Sequence, residues 1–197
     1  MRAPKPTSSF KLPGPGFHRG VLQSIIDLGI QPSNNPQYDP GHKLMLIFEL
    51  PDTLREDGTR ETVKTTQTFS MGKKANLRKI VEQWAGKSFP NDQAAWDFEL
   101  SGLLGKPVYL QITHKDSNGK TYANITAYGP LPGGVEKPML QAKPVLYDQS
   151  RDDATDVYHS LPEWIRNIID KQIPKESAQP ASATAAAGAS GDDDIPF

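Results

Sequence analysis

The sequence has no cysteine, which removes disulfides, thiol nucleophiles, thiolate zinc sites and iron–sulfur clusters from consideration. No apolar run approaches the roughly 18 residues of a membrane span. The opening Met1-Arg2-Ala3-Pro4-Lys5-Pro6 carries positive charge with no apolar segment behind it, unlike a secretory signal. A soluble cytoplasmic protein without a membrane partner is therefore expected. Apolar residues are scarce, at 36% of 197, low for a chain packed throughout. The four histidines, at 18, 42, 114 and 159, lack His-x-His or His-x3-His spacing, so a metal site is not expected. Gly14, Gly16 and Gly20 miss the dinucleotide spacing and precede a strand, and Gly72-Lys73-Lys74 lacks the rest of a phosphate loop. Asp152, Asp153 and Asp156 could hold a nuclease metal, but in a Pro-rich connector they read as a solvated acidic loop. Neither a cofactor nor catalysis is expected.

What the chain has in excess is proline: 18 residues, about 9% against a usual roughly 5%, the mark of connector and linker. Its net charge of −1 conceals a polarity. Residues 1–143 hold 18 basic and 13 acidic groups, 144–172 hold three and six, and 173–197 hold one and four. A mildly basic working domain followed by an acidic end is expected.

The front of the chain reads mostly as strand. Phe17–Ile30 is a long, partly alternating run, and Lys43–Leu50 is a dense apolar strand ended by Pro51. Thr62–Met71 alternates and is rich in Thr, and Pro107–His114 and Thr121–Tyr128 flank an Asn-Gly hairpin signal. Between the third and fourth strands, Leu77, Ile80, Val81 and Trp84 follow helical spacing with Gly86 as the cap, and a second short helix covers Asn91–Leu100. Three strands, a helix and two strands is the element order of a five-stranded OB-fold barrel. The expected fold is therefore mainly β with helices: an OB-fold core over 1–128, then a connector and amphipathic helix over 129–173. In that helix Ser160 is the expected N-cap of a capping box with Glu163, and Leu161, Trp164, Ile165, Ile168 and Ile169 form its apolar face.

Residues 174–197 read as a disordered linker with an acidic tip. From Pro174 to Gly191 there is no large apolar side chain, so ordering entropy has nothing to offset it. A flexible coil of that length spans roughly 20–25 Å. It ends in Asp192-Asp193-Asp194-Ile195-Pro196-Phe197. A purely solvating tail does not require Ile-Pro-Phe after its Asp run. Two apolar side chains beside three carboxylates suit a hydrophobic pocket with a basic rim.

This hexapeptide on a small-residue linker resembles the tail of bacterial single-stranded-DNA-binding proteins. The resemblance implies that Asp192, Asp193, Asp194, Ile195, Pro196 and Phe197 dock replication, recombination and repair enzymes of a host or phage, with Pro196 and Phe197 as the key residues. The body is unlike the bacterial protein itself. It resembles phage-encoded OB-fold proteins that bind single strands, over Trp84-Ala85-Gly86-Lys87-Ser88-Phe89, Leu103-Leu104-Gly105-Lys106-Pro107, residues 118–125 (NGKTYANI) and Leu161-Pro162-Glu163-Trp164-Ile165. For a phage protein the compartment is the bacterial host cytoplasm.

A sequence-tolerant strand binder needs cations for phosphates and aromatic faces for bases. The fourth strand separates Val108, Leu110 and Ile112 from Tyr109, Gln111 and Thr113, and the fifth separates Ala123, Ile125 and Ala127 from Tyr122, Asn124 and Tyr128. The third sets Lys64, Thr66 and Thr68 opposite Val63, Gln67 and Phe69. Arg19, Lys43, Lys64, Lys73, Lys74, Arg78, Lys115 and Lys120 are the candidate phosphate contacts, and Tyr109 and Tyr122 the candidate base platforms. Trp84 and Phe48 read as core, and Trp96, Phe98 and Trp164 as packing. Single-stranded DNA is the expected partner, and a homo-oligomer is compatible with the sequence. The competing reading is an OB-fold adaptor of replication or repair complexes that holds another protein and binds no DNA, which the modest +5 charge of residues 1–143 allows.

Overall fold

The computed structural model describes residues 12–33, 37, 39–117 and 119–174. Strands β1 (Gly16–Gln31), β2 (Gly41–Leu54), β3 (Arg60–Thr68), β4 (Pro107–Ser117), β5 (Lys120–Gly129) and β6 (Val145–Tyr147) form one mainly antiparallel six-stranded sheet. The order is β3-β2-β1-β4-β5, with β6 parallel to β1. Helices α1 (Asn76–Ala85) and α2 (Asp92–Trp96) lie between β3 and β4, with a 3₁₀ turn at Leu100–Leu103. Helices α3 (Ala154–Ser160) and α4 (Glu163–Ile169) follow β6. No helix among the described residues is long and apolar enough to cross a membrane.

The sheet is open where the sequence predicts a closed five-stranded barrel. Its edges β3 and β5 approach within 8 Å at their Cα atoms but form no ladder among the described residues. The expected connector also supplies a sixth strand. β4 accompanies β1 only from Gly16 to Val21, and β6 takes up the edge at Ser24–Ile26. Bulges between Leu22 and Ser24 and between Asp27 and Gly29 bend β1 so that its two halves serve different partners.

Both faces of the sheet are packed. On the inner face Leu22, Leu46, Phe48, Leu50, Val108, Leu110 and Ile112 meet Leu77, Val81 and Trp84 of α1. The fully buried Phe48, Leu22 and Leu50 each contribute roughly 1.5–3 kcal/mol by burial. Trp84 is core, as expected, and its Nε1–H donates to the Pro107 carbonyl at 2.7 Å. α1 stops at Gly86, whose φ of 66° lets the left-handed cap bond back to Gln83 and Glu82. On the outer face Ile26, Leu28 and Met45 meet Tyr147, Leu161, Ile165 and Ile169.

Four local expectations change. The capping box does not form: Pro162 disfavours helical backbone at Leu161, which is extended (φ −70°, ψ 147°). Ser160 instead closes α3, its Oγ donating to the Val157 carbonyl, and Pro162 precedes α4. β2 does not end at Pro51 but continues to Leu54 through an irregularity facing β3, where a missing N–H is tolerated. Trp96 is 61% and Trp164 43% exposed, so neither is core packing. Tyr128 belongs to the inner face. The β4–β5 register skips Thr126, and this bulge puts Tyr128 opposite Leu110, its ring 6.0 Å from Phe48. Burial raises the Tyr128 hydroxyl to about 12, and the group faces Thr65 on β3 without a hydrogen bond of ordinary geometry. The linker and acidic tip beyond Pro174 lie outside the described residues.

Candidate nucleic-acid interface

The outer surface of β1, β4 and β5 follows from the register. Residues paired across antiparallel strands share a face. Arg19 lies opposite Tyr109, Phe17 opposite Gln111, Thr113 opposite Asn124, Lys115 opposite Tyr122 and Ser117 opposite Lys120. With Val108, Leu110 and Ile112 turned into the core, all of these belong to the opposite face. From Tyr109 to Lys115 the strip runs about 20 Å, at 3.4 Å per residue.

Its chemistry is aromatic and polar. The rings of Phe17 and Tyr109 stack, with centroids 5.5 Å apart and planes 6° from parallel. Phe17 is 63% and Tyr122 47% exposed, which for rings of this size leaves planar apolar surface facing water. Lys115 and Lys120 are exposed beside Tyr122 at the tip of the hairpin. The register leaves two residues for that turn, and Gly119, at φ 71°, supplies the left-handed backbone it requires.

The ten sequence-derived residues do not form one cluster. Tyr109, Lys115, Lys120 and Tyr122 share the strip, and Arg19 sits at its end. Arg19 is bound to Asp52, donating from Nε to Oδ2 at 2.8 Å and from Nη2 to Oδ1, and its Nη1 donates to the Glu136 carbonyl. That pairing raises the guanidinium pKa and lowers the Asp52 carboxyl. Lys43 and Lys64 lie on the β2–β3 part of the sheet. Lys43 Nζ donates to Thr68 Oγ1 at 2.9 Å, and Lys64 Nζ sits 3.7 Å from the centre of the Trp164 ring. Burial lowers the Lys64 pKa. Lys73 and Lys74 are exposed in the turn before α1. Arg78 is a buried structural group: it donates to Asp92 Oδ1 at 2.6 Å and to Glu82 Oε1 at 3.2 Å, which hold its pKa up.

Phe17 is the ring that sequence reasoning missed, absorbed there into an apolar strand. Its place two residues before Arg19, on the same face of the strand, is the signal that could have found it.

The connector is fastened next to this strip by a buried carboxylate. Glu49, 2% exposed, accepts from Arg60 Nη1 at 2.7 Å, from the Gln141 N–H at 2.8 Å and from the Ala142 N–H at 3.0 Å. Arg60 also donates to the Met139 carbonyl at 2.6 Å. Although burial opposes the charge, the two backbone N–H groups and the guanidinium hold the Glu49 carboxyl below its ordinary value.

On the opposite end of β2, His42 Nε2 lies 2.5 Å from Asp27 Oδ1, which also accepts the Gly29 N–H, and the His42 ring meets the edge of Phe69. These residues line a cavity of about 860 Å³ with Asp148 and Gln172. Among the described residues no three His, Asp or Glu side chains gather as a metal-binding set. Compared with known protein families and curated proteins, the sequence matches no family model and no curated protein.

Proposed function

We propose that this chain is a sequence-independent single-stranded-DNA-binding protein that protects single strands in replication and recombination and recruits partner enzymes through Asp192–Phe197. The observation that carries the reading is the outer strip: the Phe17–Tyr109 stack and exposed Tyr122 beside Lys115 and Lys120. Rings of this kind accept any base, each worth roughly 1–3 kcal/mol, while lysines follow the phosphates. The strand order with α1 between β3 and β4 supports an OB-fold reading, although β3 and β5 form no ladder among the described residues and β6 adds a sixth strand. Fluorescence titration with oligo-dT at two salt concentrations tests the proposal. Binding that weakens as salt rises is expected; absence of binding at low salt overturns it.

A second reading, the adaptor without DNA binding, has one observation in its favour. Arg19, Lys64 and Arg78 are all engaged within the protein, which thins the supply of phosphate contacts. A chain that captures a replication or repair enzyme yet leaves oligo-dT unbound would favour it.

A further inference from the structure

Between α1, α2 and the segment after β5 lies a cavity of about 790 Å³, none of whose lining residues belongs to the aromatic strip. Trp84, Phe89 and Phe98 contribute to its apolar wall, and the exposed Lys87, Lys106 and Lys137 stand around it. The one lining carboxylate among the described residues, Glu82, is already committed to Arg78 and to the Phe89 N–H. The rim therefore presents unbalanced positive charge above an apolar floor.

We infer that this cavity holds the chain's own Asp192–Phe197 segment, folded back in cis. Three observations converge on that occupant. After Ile173 the only large apolar side chains in the sequence are Ile195 and Phe197, and three aspartates precede them directly. Apolar groups and carboxylates in one short unit match an apolar floor with three lysines at its edge. The reach is sufficient: the 17 residues from Lys175 to Gly191 extend to roughly 55–60 Å, more than the roughly 40 Å across a compact body of this size. Tethering at this length supplies an effective concentration on the order of millimolar, so a weak pocket suffices to hold the segment. A segment held there is hidden from other proteins until a competitor takes the cavity or draws the segment out. This placement stands apart from the DNA reading, because a chain that binds no DNA could still show it.

Heteronuclear NMR of the full chain tests the inference, set beside a full-length variant carrying Asp192→Asn, Asp193→Asn, Asp194→Asn and Phe197→Ala. The expected result is a difference at Trp84, Lys87, Phe89 and Phe98, none at Tyr109, Lys115 and Lys120, and the same pattern at low and high protein concentration. A free hexapeptide of sequence 192–197, added to the variant, should restore the wild-type signals. Adding Lys87→Ala and Lys137→Ala should weaken that peptide roughly tenfold, two exposed ion pairs being worth up to about fivefold each. Three outcomes overturn the inference: no difference anywhere, differences confined to the strip, or differences that grow with concentration and so belong to a second copy. Oligo-dT titration of the same two proteins separates failure of this inference from failure of the DNA reading.

Discussion

Replacing Glu49 by Gln should release the connector that crosses the outer face. The substitution keeps the side chain's size and removes its charge. Three bonds to a carboxylate, each worth about 1.5–3 kcal/mol when one partner is charged, become at most two to a neutral amide oxygen. The new amide N–H₂ is turned toward an N–H donor, that of Gln141 or Ala142. Relief of the buried charge offsets part of this loss, leaving a net cost of about 3 kcal/mol. At about 2–4 °C per kcal/mol for a chain of this length, the melting temperature should fall by roughly 6–12 °C. The effect depends on pH with a definite sign. The folded carboxyl lies below its ordinary 4.5, so its contribution is complete above that value and disappears as pH falls through the folded one. Urea unfolding of both proteins from neutral to acid pH measures it, and amide hydrogen exchange at Gln141 and Ala142 should quicken in the variant. The reasoning fails if Glu49→Gln is within about 0.5 kcal/mol of wild type at neutral pH, a typical surface effect. It also fails if the gap does not narrow in acid.

Three further outcomes follow from the same geometry. Phe17→Ala and Tyr109→Ala should each weaken oligo-dT binding by about five- to 150-fold, the range for one lost base stack, with little change in urea midpoint for the exposed Phe17. Arg78→Ala should lower the melting temperature, because Asp92 and Glu82 lose their shared partner, and should leave DNA affinity unchanged; a loss of affinity without a loss of stability would contradict a structural role for Arg78. Tyr128→Phe removes a buried hydroxyl that faces Thr65 and makes no hydrogen bond of ordinary geometry among the described residues, so it should match or exceed wild-type stability by up to about 1–2 kcal/mol. Because burial raises the folded hydroxyl to about 12 against an ordinary 10.0, wild type should lose more stability than the variant as pH rises from 10 toward 12, on top of the loss that Tyr147 and Tyr158, also held up, cause in both proteins.

Strands and α1 are readable in the sequence because their apolar residues keep the period of the element, as Val108, Leu110 and Ile112 do on β4. Features set by the chain's third dimension are not. Barrel closure depends on whether β3 and β5 pair, and no local pattern records the gap between them. A single bulged residue, Thr126, reverses the face assigned to Tyr128. Pro162 splits what reads as one capped helix into the end of α3 and the start of α4. Trp164 has helical spacing with Ile168 but stands next to the buried Ile165, so it lies on the flank of the Ile165–Ile169 stripe, where Lys64 covers it. At the candidate site, Tyr109, Lys115, Lys120 and Tyr122 are legible from alternation and hairpin chemistry. Counting cations along the chain cannot tell that Arg78 is consumed by two carboxylates from its own helical lobe.

The most direct test of the central claim is the salt dependence of oligo-dT binding in wild type and in a Lys115→Ala/Lys120→Ala double variant. Each phosphate contact on a single strand contributes about 0.7 to the slope of log affinity against log salt. If the β4–β5 hairpin holds the strand, the slope should shrink by about 1.4 in the double variant while the fold stays intact. An unchanged slope, or binding that ignores salt in the wild type, would contradict the account.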